Sequence, residues 1–125
     1  MGWWRVWRAS AAFVACAAAG LAMWVYALPL FGDAEPWDGN VALYALATLV
    51  AGVLGGLLSR SLWIPPVGLY AGQFAYCIAG YFHHSGGGAN FFIPLGAIFL
   101  ASYCLPALIG AGIGVIVLRG RVRPA

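Results

Sequence analysis

Gln73, Cys77, Gly80 and His84 advance by four, three and four residues, so on an α-helix they fall along one face. This is a polar line inside an otherwise apolar run: an amide, a thiol and an imidazole. A glutamine amide in hydrocarbon must find partners for its donors and its acceptor, either across a helix interface or in a hydrated cavity. The first makes it interhelical glue, the second a solute-contacting surface. Ser102, Tyr103 and Cys104, near the middle of the last apolar run, are placed to meet it, with Tyr103 supplying a hydroxyl. Gln73, Cys77, His84 and Tyr103 are therefore the candidate contacts for a substrate or partner.

His83 and His84 sit at the outer end of this line, on the side that also carries Asp33, Glu35 and Asp38. Two imidazoles with a carboxylate suit zinc or copper. Adjacent side chains on a helix point about 100° apart, however, so both could ligate one ion only if the chain unwound at Gly86–Gly88. The spacing matches no dedicated metal motif. Solvated interfacial histidines are the simpler reading, and no cofactor is expected. The glycine run lacks the lysine and the strand-to-helix setting of a phosphate loop. Cys16, Cys77 and Cys104 lie singly in apolar segments, which suits small apolar packers rather than a disulfide framework. The acidic residues share one loop, and Ser85 beside His84 has no assignable base and orienting acid, so no enzyme is expected.

The chain is 64% hydrophobic and 7% charged. A soluble domain keeps about a quarter of its residues charged, so lipid is the expected solvent for most of this one. All six basic residues are arginines at the ends of apolar runs, which excludes a nucleic-acid face. Their distribution divides the chain. Residues 9–30, 41–58, 65–82 and 91–118 read as transmembrane helices of a single domain, 1–125, all-α and folded as an antiparallel four-helix bundle. The loop FGDAEPWDGN separates the first two, Ser59-Arg60-Ser61 is a tight turn, and HHSGGGAN separates the last two. The last run is too long for a straight span, and Pro94 and Pro106 offer places to kink or break it.

With four spans, every arginine falls on one side and every acid on the other, so both termini are expected in the cytoplasm. Trp3, Trp4, Trp7 and Trp63 would mark the inner headgroup level. The absence of lysine beside abundant alanine, glycine and arginine points, as composition alone, to a GC-rich bacterial genome and hence a bacterial inner membrane. No Asp, Glu, Lys or Arg lies inside a span, which argues against ion-coupled transport. Gly52/Gly56, Gly68/Gly72 and Gly110/Gly114 are GxxxG pairs suited to close helix packing, within the chain or between copies. The expectation is a non-catalytic membrane subunit, accessory to a larger inner-membrane complex or a structural homo-oligomer. The alternative is an oligomeric channel or uncoupled carrier for a small neutral or weakly polar solute.

Overall fold

The computed structural model describes residues 2–33, 35–36, 39–83 and 92–122, with backbone alone for 80–83, 92–95 and 122. These residues form α1 (Gly2–Val25), α2 (Ala27–Phe31), α3 (Val41–Ser59), α4 (Ile64–His83), α5 (Phe92–Tyr103) and α6 (Leu105–Val122). No strand occurs among the described residues. Three stretches are long and apolar enough to cross a bilayer: Gly2–Val25, Val41–Ser59 and Gly96–Arg121. The chain is thus an all-helical protein of multi-pass membrane type. His84 and the rest of the second loop lie outside the described residues, as does Asp38.

Prolines explain where the helices depart from the expected bounds. Pro29 has no N–H to offer the carbonyl of Val25, and its ring crowds that carbonyl. The helix yields at Tyr26 (φ −103°, ψ 23°) and resumes as α2, which ends at Gly32 in the left-handed conformation (φ 83°). The expected span 9–30 is corrected at its start too, because α1 begins at Gly2. Hydropathy marks where lipid begins, whereas no helix breaker separates Gly2 from Ala9 and the interfacial backbone stays paired. Pro106 does to the last span what Pro29 does to the first. It leaves Ser102 O without its helical donor, and the chain turns at Cys104, whose N–H closes a tight turn on Ala101 O at 3.1 Å. The span 91–118, which Pro94 and Pro106 could kink or break, is two helices, α5 and α6. Pro65 and Pro66 disturb nothing, since they occupy the first turn of α4 where a missing N–H has no helical partner.

Both ends of α3 are capped. Asn40 Oδ1 accepts from Leu43 N at 3.1 Å. At the other end Arg60 takes the left-handed conformation (φ 59°), and Arg8 of α1 donates from Nε to Leu58 O at 2.9 Å. A guanidinium thus meets the partial negative charge at the helix C-terminus.

The glycine contacts give the direction of the two main helix pairs. Gly52 and Gly56 of α3 lie on Ala107 and Ala111 of α6; the numbers rise together, so these helices run parallel. Gly68 lies on Phe13 and Cys16, and Gly72 on Ala17, so α1 and α4 are also parallel. Across the two pairs the direction reverses: Arg8 meets Leu58 and Cys16 meets Gly55, which makes α1 and α3 antiparallel. The long helices α1, α3, α4 and α6 thus alternate in direction along the chain. The most extensive contacts, however, are between next-but-one helices, α1 with α4 and α3 with α6.

Where the paired helices touch, small side chains face inward, and many branched aliphatic ones face outward. Ala12, Cys16, Ala107 and Ala111 are buried, while Leu54, Ile98, Ile109 and Ile116 are each more than 60% exposed. Water would punish that exterior, whereas lipid does not. Lipid tails are as apolar as leucine, so what holds the pairs together is close backbone approach, which only small residues permit.

Candidate functional site

Gln73 sits on the inward face of α4 and is fully buried. Gly20 of α1 makes room for it, since a Cβ there would lie 3.1 Å from Gln73 Cγ. Its Oε1 accepts from Trp24 Nε1 at 2.9 Å and from the Tyr44 hydroxyl. Its Nε2 donates to Leu69 O at 3.3 Å and to Cys104 Sγ at 3.7 Å. Two accepted and two donated bonds exhaust an amide. One side chain therefore ties α4 to α1 through Trp24, to α3 through Tyr44, and to the elbow between α5 and α6 through Cys104.

Aromatic rings enclose this hub. Tyr44 packs between Phe31 (centroids 5.6 Å apart) and Tyr103 (5.5 Å, edge to face), and Trp24 packs on Tyr76 at 5.8 Å. Tyr70 makes a second polar tie, from its hydroxyl to Ala97 O of α5 at 3.3 Å. No buried side-chain nitrogen or oxygen among the described residues lacks a partner.

Of the residues expected to meet Gln73, the structure brings Cys104 to it directly and Tyr103 to its partner Tyr44. Ser102 faces outward and bonds back to Ile98 O at 3.1 Å. Cys77 is half-buried one turn along α4. His84 lies outside the described residues, and His83 is described by backbone alone, so the outer histidine site and the Gly80–His84 part of the polar line are not described. Among the described residues no three His, Cys, Asp or Glu side chains gather as a metal set. Trp24 and Tyr44 were not singled out by sequence reasoning, although a signal existed. Trp24 is the one tryptophan inside an apolar run rather than at its edge, and its N–H must find an acceptor there.

The six GxxxG glycines all pack within the chain. Gly52 and Gly56 receive α6, Gly110 and Gly114 receive the backbone of α3 near Leu49 and Val53, and Gly68 and Gly72 receive α1. On the outer face of the α1–α4 pair a shallow apolar trough of about 360 Å³ is lined by residues such as Val14, Ala18 and Ala75. It opens to the exterior of the bundle.

An indole, a phenol, an amide and a thiol with mutually satisfied hydrogen bonds offer neither a base nor a nucleophile with an activating partner. What the hydrogen bonds of this arrangement link is three helices, α1, α3 and α4, and the α5–α6 elbow. No protein-family model, curated protein or solved structure matches the chain.

Trp24 is the buried tryptophan among the described residues, whereas Trp3, Trp4, Trp7 and Trp63 are exposed. Trp24→Phe is expected to lower stability by about 1 kcal/mol, about 0.6 of it for one membrane hydrogen bond and the rest for the ring volume lost at a buried site. It should also remove the most blue-shifted part of the tryptophan emission. An emission spectrum and an unfolding curve in detergent check both; an unchanged spectrum would contradict the burial of Trp24.

Proposed function

We propose that this chain is a non-catalytic membrane subunit that crosses a bacterial inner membrane four times, with both termini cytoplasmic. It works either docked to a larger membrane complex or assembled with copies of itself. The observation that carries this reading is the saturation of Gln73, whose four hydrogen bonds are all spent on the chain's own helices.

A channel or carrier for a small polar solute needs groups that trade bonds with the solute along an open path. The polar shell around Gln73 is filled by rings and has no spare bond on the amide. The four-span reading draws on direction: α4, at 20 residues long enough to cross, runs parallel to α1 and antiparallel to α3. This alternation of direction supports a further crossing along α4. Arg8 beside Leu58 places the start of α1 level with the α3–α4 turn, which favours one arginine-rich face.

With its glycine faces spent internally, the subunit would meet a partner through the bulky aliphatic exterior. The test is gentle extraction from the native membrane, followed by the mass of the assembly and identification of every co-purifying chain. A stoichiometric larger partner, or a defined homo-oligomer without solute flux in liposomes, is expected. Flux through the purified protein that Gln73→Leu abolishes would overturn the proposal in favour of the channel. Reporters active only in the cytoplasm, fused in turn to each terminus, should both be active; a silent one at either end would overturn the four-span topology.

A further inference from the structure

We infer that the end of the bundle carrying Arg5, Arg8 and Arg60 binds the phosphate of an anionic phospholipid headgroup. Arg5 and Arg8 are three residues apart on α1, on the face that one and two turns later buries Ala12 and Cys16. Cys16 meets Gly55 of α3, so both arginines lie on the side of α1 turned toward the C-terminal end of α3. Arg8 confirms this directly: its Nε reaches Leu58 O at 2.9 Å, which leaves its terminal nitrogens for another acceptor. Arg60 follows two residues beyond Leu58 and is exposed. Three arginines thus lie at the end of the bundle where the first turns of α1 pass the α3–α4 turn.

Among the described residues no carboxylate side chain lies there: Asp33 and Glu35 follow α2, beyond the far end of α1, and only the partial charge at the end of α3 faces Arg8. From Arg8 to Val25 the helix rises about 25 Å, several Debye lengths at physiological salt. The like charges are left to repel one another unless an anion joins them. Trp4, Trp7 and Trp63 are exposed at the same level (62%, 57% and 66%), and exposed tryptophans at helix ends lie in the headgroup layer. The anions present at that depth are lipid phosphates, which guanidinium groups bind in two-pronged fashion. An anionic lipid is selected over a zwitterionic one because the latter brings its own cation. The inference requires only that α1 and α3 cross a bilayer, and it holds whichever reading of the subunit's role is correct.

The full chain, purified in detergent with equal amounts of phosphatidylglycerol and phosphatidylcholine, is examined by native mass spectrometry for retained lipid. Preferential retention of phosphatidylglycerol by the wild type is expected, and it needs no variant. The double substitution Arg5→Gln/Arg60→Asn removes two charges while keeping the Arg8 cap, and asparagine tolerates the left-handed conformation at position 60. It should reduce phosphatidylglycerol retention about tenfold or more and leave phosphatidylcholine unchanged. Arg119→Gln/Arg121→Gln, with the same change of charge at the end of α6, should retain lipid as the wild type does. Equal retention of both lipids by the wild type would overturn the inference. So would equal losses in the two double variants, displacement by inorganic phosphate, or retention of an acidic polypeptide in place of lipid.

Discussion

Gly72→Val is expected to push α1 and α4 apart and to destabilise the protein by about 3 kcal/mol, the upper part of the range for overpacking a tight interface. A Cβ at Gly72 would sit on the carbonyl oxygen of Ala17, and the next atoms it meets are also Ala17 backbone. A side chain can rotate out of the way, but a helix backbone has to translate. The shift would be felt at Gln73, the next residue, and so in the bonds to Trp24 and Tyr44. Gly52→Val and Gly110→Val should behave alike, since both meet backbone across the α3–α6 contact. Gly112 supplies the control: it lies between Gly110 and Gly114 in sequence, but a Cβ there would meet only Leu62 Cδ2, at 3.6 Å. Gly112→Ala should be neutral or slightly stabilising, as the helix propensity of alanine exceeds that of glycine. Unfolding midpoints in micelles, followed by circular dichroism, decide the matter; a Gly72→Val protein as stable as Gly112→Ala would contradict the parallel packing of α1 on α4.

Removing the amide at the centre is expected to be almost as severe. Gln73→Leu keeps the volume roughly constant but deletes four hydrogen bonds. Three of them run between helices and one returns to Leu69 within α4, so at the average of about 0.6 kcal/mol for a hydrogen bond between membrane helices the loss is about 2 kcal/mol. The indole of Trp24 and the hydroxyl of Tyr44 also lose a shared acceptor in a place water does not reach. This makes the effects non-additive in a checkable way. In a Trp24→Phe/Tyr44→Phe background, where the donors are gone, Gln73→Leu should cost at least about 1 kcal/mol less than in the wild type. Equal costs in the two backgrounds would mean that the amide acts independently of both aromatic donors, and the hub described above would be wrong.

The sequence carried the membrane setting unaided, because it depends on composition and run length. Long apolar stretches bounded by arginines and tryptophans need no tertiary information to be recognised, and neither do the small-residue faces of α3, α4 and α6. Gln73 stood out for the same reason: a polar group in hydrocarbon is expensive wherever the fold puts it. The helix bounds were only partly legible. Hydropathy locates the lipid-facing segment, whereas the ends of α1 and α6 are set by backbone hydrogen bonding that continues into the interface. Whether Pro106 would bend its helix or break it depends on what receives the chain at Cys104, and that is Gln73.

The partners themselves were decided by the tertiary structure. A GxxxG face states that some backbone comes close, but not which; here α3 receives α6 and α1 receives α4, so the glycines are consumed by next-but-one helices running in the same direction. Trp24 and Tyr44 lie 49 and 29 residues from Gln73, and no periodicity within one helix relates residues so far apart. Periodicity is a property of a single helix, whereas a buried amide is satisfied by donors from several helices. Their rotation about their own axes is set only when all of them pack at once.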